Sequence, residues 1–310
     1  YALTGPGIEE AIRLAEDGLK RLGDHSLLHA ALGVFHYLLY DFGFRSDEET
    51  LSRCTAEATR ALELNPDLPQ AWHAKGLSEY KRGNTPETVR LLRRELELEW
   101  NSDALWWLAF ILSEAGLTTE ARQFAAEAVE RDPLTWMTTL SKGAADLFSG
   151  DFDSAVRLFR DEVARAMIDP AFSRWWLGQA LAYAGEESEA AIQFERGAEA
   201  GDSLISEFCG LGALAFRGDK DGARTYFESN TNLQQAVLRD ETFPRYVAQC
   251  FAKLGEFDTA LRWLDQAADW GFTNHQFLSE HDRFLVPIRD DPRFMAFLER
   301  AREKQREFEA

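Results

Sequence analysis

The sequence predicts an all-α fold of about seven helical hairpins, on the strength of two ladders of small residues and one set of punctuating glycines. Cys54, Thr88, Ala121, Ala155, Ala190, Ala223 and Ala260 follow one another at steps of 34, 33, 34, 35, 33 and 37 residues. Gly33, Gly76, Ala109, Gly143, Gly178, Gly212 and Ala248 run beside them at steps of 43, 33, 34, 35, 34 and 36. A period near 34 is too long for one helix and suits a helix–turn–helix unit that stacks on its neighbours. Gly83, Gly116, Gly150, Gly185, Gly218 and Gly255 mark the turns inside the hairpins, because glycine tolerates the left-handed conformation that ends a helix.

One unit, Ser102 to Pro133, shows how the pattern works. Leu105, Leu108, Ala109 and Leu112 lie at helical spacing on one apolar face. Gly116 ends that helix, and Thr118 or Thr119 is placed to cap the next. Ala121, Ala125 and Ala128 follow on the second helix, small enough to let the two helices approach closely. Asp132-Pro133 closes the unit, since proline cannot continue a helix and biases its predecessor away from α. Asn65-Pro66, Asp169-Pro170 and Asp291-Pro292 repeat that signal. Thr85-Pro86-Glu87 reads as a helix start, with a capping hydroxyl, a first-turn proline and an acid near the positive dipole end.

Along the chain, the first helix, Ile8 to Leu22, reads as the second helix of a hairpin, with Ala11, Ala15, Gly18 and Leu19 in the small and apolar places. Its partner is missing, so the chain reads as part of a longer protein. The long step from Gly33 to Gly76 implies a nine-residue insertion, expected as a loop over 41–50 that could add contacts. The pattern breaks after residue 270. Gly271-Phe272, Asp282-Arg283-Phe284 and Pro287 to Phe294 lie in a loop-rich stretch. A final helix then carries Phe294, Phe297, Leu298 and Ala301 on one face and Glu299, Arg300, Arg302 and Glu303 on the other. One apolar side and one wet side are what the cap of a stacked array needs. The expected organisation is one elongated domain: a solenoid over 1–270 and a capping segment over 271–310.

Composition narrows the function classes. The 310 residues are 45% hydrophobic and 28% charged, enough for a large core. No stretch approaches the roughly 18 apolar residues of a membrane helix; the greasiest, Ala30 to Tyr40, is broken by Gly33 and His36. A net charge of −19 repels phosphate backbones, which argues against direct nucleic-acid binding. It favours solubility and a basic or apolar partner. Cys54, Cys209 and Cys250 form no CxxC and read as small buried fillers in a reducing compartment. With no glycosylation sequon and no signal-peptide pattern, the expected location is the cytoplasm.

These residues resemble the tetratricopeptide repeat family from about Ile8 to Ala268. Leu32-Gly33, Leu177-Gly178 and Leu211-Gly212 match its Leu-Gly pair; Phe152, Ala155 and Phe159, like Phe257 and Ala260, match its second helix. Lys75 and Lys142 replace the Leu, and Thr88 replaces the Ala. The resemblance implies a right-handed superhelix whose concave face is built from first helices. Carried over position by position, that face takes Tyr37, Tyr80, Trp106, Phe110, Leu140, Phe148, Trp175, Tyr183 and Phe216, with Arg217 and Arg245 among its polar residues. Leu77, Leu147, His73, Lys81, Glu114, Gln179, Gln249 and Lys253 complete it. Aromatic side chains suit peptide recognition, because they bury much area at little rotamer cost. Two packings stay open: a groove that receives an extended or helical peptide, and tight winding in which the repeats bury these residues themselves. The chain's ending is similar to the tetratricopeptide regions of bacterial signalling proteins that follow a serine/threonine kinase or a winged-helix domain.

Other candidates weigh less. Adjacent residues on a helix point about 100° apart, so Trp107 and Trp176 are expected to pack inside while Trp106 and Trp175 face the groove. His25, His29 and His36 share a helical face but are expected to pack rather than bind metal. Gly210-Leu211-Gly212-Ala213 lies inside a helix without the strand a dinucleotide loop requires. Glu280-His281-Asp282 has no nucleophile arranged beside it. No enzyme activity, cofactor or metal is therefore expected. The expected function is a non-catalytic scaffold that binds a protein or peptide partner, in the regulatory region of a larger bacterial signalling protein. A chaperone-like or assembly adaptor is the alternative, and an enzyme with helical repeats comes last.

Overall fold

The computed structural model describes residues 4–45, 47–165, 169–239 and 242–308. Among them every regular element is a helix, so the fold is all-α and built of consecutive hairpins, as the ladders predict. The chain divides into two compact units, Tyr1–Leu108 and Ala109–Ala310. The division falls inside a helix, and the segment after residue 270 is part of the second unit.

The first unit holds α1 (Gly5–Leu22), α2 (Ser26–Asp41), α3 (Glu48–Leu64), α4 (Pro69–Tyr80), α5 (Thr85–Leu98) and the start of α6 (Ser102–Ala115). Helix α1 packs on α2, α2 and α3 form the first hairpin, and α4 and α5 the second. Of the insertion expected as a loop over 41–50, residues 42–45 and 47 are non-helical and only 41 and 48–50 belong to helices; residue 46 lies outside the described residues. Asp41 is the last residue of α2 and Thr50 stands in the first turn of α3, buried. Asp47 caps α3, accepting the Thr50 N–H at 2.8 Å, with Glu48 and Glu49 at the positive end of the dipole.

The second unit continues with the rest of α6, then α7 (Thr118–Arg131), α8 (Trp136–Phe148), α9 (Phe152–Arg165), α10 (Pro170–Ala184), α11 (Glu187–Ala198), α12 (Leu204–Phe216) and α13 (Lys220–Ser229). A short α14 (Thr231–Ala236), α15 (Thr242–Lys253) and α16 (Phe257–Trp270) follow. A π-helical turn (Phe277–His281) and a 3-10 turn (Arg283–Ile288) lead to α17 (Pro292–Gln305). Helix α14 is not in the repeat pattern; it explains the long last step of the alanine ladder.

The ladders mark helix contacts. Cys54, Thr88, Ala121, Ala155, Ala190, Ala223 and Ala260 are all fully buried. In the Gly ladder, a Cβ on Gly178 would stand 2.5 Å from the Phe194 ring, and one on Gly143 would overlap Phe159. At these two positions a second-helix phenyl ring stands against a first-helix glycine, whereas Gly33 meets Ala74 and Gly76 meets Leu92. All six turn glycines take positive φ, between 74° and 94°.

The Asp-Pro and Asn-Pro pairs split into two roles. Asp169 and Asp291 cap α10 and α17 with proline in the first turn, whereas Asn65 and Asp132 end α3 and α7. Thr85 and Thr118 are first residues of their helices rather than side-chain caps, with Asn84 and Leu117 preceding them. The three cysteines are buried and free. Burial pushes the thiols of Cys54 and Cys250 up to about 12, so they pack as neutral fillers.

Candidate interaction face

In the first unit, Tyr37 of α2, Tyr80 of α4 and Trp107 of α6 form one aromatic row on successive first helices. Trp107 meets Tyr80 at 5.1 Å and Tyr37 at 6.4 Å between ring centroids, both edge-on. Tyr37 and Tyr80 are buried, and Trp107 is half-buried. The expected roles of the tryptophan pair are therefore reversed. Trp106 is the more buried, its N–H turned to Asp103 at 3.3 Å, and Trp107 joins the row. Lys81 is buried beside Tyr80 and pairs with Asp41 at 2.7 Å.

In the second unit the first-helix aromatics are covered by a later segment. The segment after α16 runs along the ends of the first helices. The main-chain N–H groups of Thr273 and Asn274 both donate to the Glu114 carbonyl at the end of α6, at 3.1 and 3.0 Å. The Asn274 amide donates to the carbonyls of Ser113 and Phe148, at 2.9 and 3.0 Å, so one side chain ties the ends of α6 and α8 together. Phe272 and Phe277 pack edge-on against Phe148. Phe277 and Phe284 pack against Tyr183, and Phe284 against Phe216. His281 lies against Gly150 and Phe152, and Arg283 against Gly185. Helix-end carbonyls lack intrahelical partners, and the segment supplies donors to several of them.

A buried polar group sits under this segment. Arg245 donates to Gln179 Oε1 at 3.0 Å, lies 3.6 Å from Glu114 and rests on the rings of Phe148 and Phe272. Asp282 accepts the Tyr183 hydroxyl at 3.3 Å and the Phe284 N–H at 2.9 Å. Burial raises the Asp282 carboxyl to about 6.

The expectation of an open aromatic groove is thus corrected. Tyr37, Tyr80, Trp106, Phe110, Leu140, Phe148, Trp175, Tyr183 and Arg245 are buried. Phe216 is half-buried, and Arg217 is exposed and paired with Glu195. Trp175 packs against Phe208, Phe243 and Tyr246, and Phe110 against Trp176. Sequence position identifies first-helix residues but carries no signal that a later segment covers them. The one available cue was the aromatic spacing of Phe272, Phe277 and Phe284 in a stretch read as loop.

His29 and His36 are buried, and carboxylates reach His29: Nδ1 lies 2.6 Å from Glu57 and Nε2 3.2 Å from Asp24. Burial lowers the pKa of His36. Among the described residues no group of three or more His, Cys, Asp or Glu is placed to hold a metal, and no helix is long and apolar enough to cross a membrane. A shallow depression of about 530 Å³ on the outer face of α3 brings together groups already paired, Arg60 with Asp24 and Glu63, and Arg82 with Glu48.

Comparison with known proteins places the repeats. The tetratricopeptide repeat model matches residues 73–134 and 140–204. No curated protein matches it in sequence. Among solved structures it is similar to PilW, a widely conserved type IV pilus biogenesis factor. The identity is 17% and the TM-score 0.52, over 68% of this chain and 98% of that one. A tetratricopeptide repeat protein from Parabacteroides merdae ATCC 43184 matches at 13% identity and TM-score 0.52, over 85% and 99%. The human IFIT1 dimer with PPP-AAAA matches at 15% and 0.60, over 85% and 69%. At these identities the likeness is one of fold.

Proposed function

We propose that this chain is a non-catalytic interaction scaffold for a protein or peptide partner. The observation that carries the reading is the way the second unit handles its own segment 273–284. Main-chain N–H groups go to helix-end carbonyls and phenyl rings go between first-helix aromatics, which is how a repeat face would hold an extended peptide. In that unit the place is taken. The partner is therefore assigned to the Tyr37–Tyr80–Trp107 row, where Trp107 keeps exposed surface, and its chemistry is apolar or basic to suit the rings and the acidic chain. A preformed face lowers the ordering cost for the scaffold but not for the peptide.

The test is selection of peptides from a displayed random library on the intact chain. Selected peptides should lose affinity for Trp107→Ala under conditions where circular dichroism shows the variant still folded. Peptides that bind Trp107→Ala as well as the parent would remove this face. On the resemblance of its C-terminal ending, we further infer that the scaffold regulates a larger bacterial signalling protein in the cytoplasm. A kinase or winged-helix domain encoded in the same reading frame would support this; a secretion signal there would overturn it.

A further inference from the structure

In the first unit, α2 packs against both α3 and α4. The contact is close at Gly33. A Cβ there would stand 3.1 Å from Ala74 of α4 and 3.4 Å from the backbone of Cys54 and Ala58 of α3. Three small residues therefore floor the angle that receives α2, and small side chains at a crossing let two helices approach. Forty-three residues earlier the same places hold Ala11 and Ala15 on α1 and Ala31 on α2. Helix α1 packs on α2 as α3 packs on α4. It also starts at Gly5, six residues before Ala11, as α3 starts at Glu48, six before Cys54. The α1–α2 pair thus repeats the floor of the α3–α4 pair.

The walls of the two angles differ in burial. On α4, Ala74, Leu77, Ser78 and Lys81 are at most 4% exposed. Their counterparts on α2, Ala31, Val34, Phe35 and Leu38, are all apolar and all half-buried. Leu27, Ala31, Val34, Leu38 and Phe42 follow at steps of four, three, four and four, a single stripe along the whole of α2. Leu27 and Phe42 at its ends are 48% and 47% exposed, and Leu14 on α1 is 60% exposed. Scattered apolar residues on a surface need no explanation, but a continuous stripe beside a floor of alanines marks an interface. The shape it fits is that of α2 itself: a helix with one apolar face and a small residue at its middle. In a hairpin the first helix directly precedes the second, as α2 precedes α3 and α4 precedes α5. Ala11 and Ala15 make α1 a second helix, so the same polypeptide is the source.

We propose that the α1–α2 face docks an amphipathic helix supplied by the same polypeptide on the N-terminal side of Tyr1, lying beside α2 as α2 lies beside α4. The inference goes beyond the scaffold reading and does not depend on it. The test compares the 310-residue chain with the same chain extended by the stretch of about 40 residues encoded immediately upstream, one repeat unit. Extension should raise the melting temperature. Ala31→Leu overfills the floor and should lower the melting temperature of the extended chain by roughly 3 °C or more, while shifting the 310-residue chain by no more than about 1 °C. Leu14→Glu, at an exposed position, should repeat that contrast and carries the test if Ala31→Leu does not fold. Three outcomes overturn the proposal. One is an upstream stretch without an apolar stripe at helical period. Another is an extension that leaves the melting temperature unchanged, or variants that act equally on both chains. The third is light scattering that finds the 310-residue chain dimeric and Leu14→Glu monomeric, which would assign the face to a second copy.

Discussion

Tyr183 on α10 donates its hydroxyl to Asp282, at 3.3 Å and ninety-nine residues further along the chain, and both side chains are buried. Burial raises the Asp282 carboxyl to about 6, although the Phe284 N–H, the Tyr183 hydroxyl and the charge of Arg245 all pull it down. An unfolded carboxyl titrates near 3.9. The folded pKa is therefore the higher one. The contribution of this group is fully present below about pH 4 and is lost as pH rises through about 6, a change of up to about 3 kcal/mol. Asp282→Asn, which keeps an oxygen for the Phe284 N–H and turns an amide N–H toward the Tyr183 hydroxyl oxygen, should flatten the fall in unfolding free energy between pH 4 and pH 7. Urea titrations across that range check it, and an unchanged slope would contradict it.

Asn274 is fully buried. It donates to two helix-end carbonyls and accepts the Phe277 N–H at 2.9 Å. Asn274→Ala leaves those groups without partners and should cost about 3 kcal/mol or more. Asn274→Asp should be worse, because a carboxylate cannot donate to the carbonyls of Ser113 and Phe148. Thermal unfolding monitored by circular dichroism decides the order.

Turn glycines with the same backbone should differ in tolerance. Gly150 and Gly255 have φ of 85° and 74°. A Cβ on Gly150 would stand 2.7 Å from the His281 ring, whereas one on Gly255 would meet nothing within 4 Å. Gly255→Ala should cost about 1–2 kcal/mol from the left-handed backbone alone, and Gly150→Ala clearly more. Adding His281→Ala should recover part of the difference in a double-mutant cycle.

His73 tests the first unit. Its Nδ1 lies 2.9 Å from Glu95, which is fully buried and also accepts from Asn101 at 2.6 Å. Burial opposes the charged imidazole most strongly, but the hydrogen bond and charge of Glu95, with Asp103, outweigh it, so the His73 pKa is raised. The associated stability is fully present below the unfolded pKa near 6.5 and is lost as pH rises through the folded one. Histidine resonances followed by NMR should place the His73 midpoint above 6.5. In Glu95→Gln only burial and the distant Asp103 remain, and the midpoint should drop below it.

What the sequence makes legible is the contact between neighbouring helices. Ala121 or Gly178 must be small because a particular ring or backbone lies against it, and that constraint repeats with the hairpin. Trp106 and Trp107 show the limit. Two adjacent rings compete for one pocket, and a hydrogen bond to Asp103, rather than periodicity, accompanies the buried choice. Helix α14 was illegible because six residues are too few to show a period. The filled face was illegible for another reason. Phe148 and Tyr183 sit where concave residues sit, but what covers them comes from Phe272, Phe277 and Phe284, outside the repeat altogether.

The segment after α16 also changes how the second unit should come apart. A linear array whose members touch only their neighbours frays from its ends, one member at a time. Here Thr273 donates to Ala115 and Gln305 to Gly116, contacts that span 158 and 189 residues. The start of the unit is thereby tied to its finish, and loss of either end removes partners from the other. Such long-range closure raises contact order and slows folding, and it turns gradual fraying into a cooperative transition. During synthesis, α6 gains these partners only once residues beyond 270 have emerged from the ribosome.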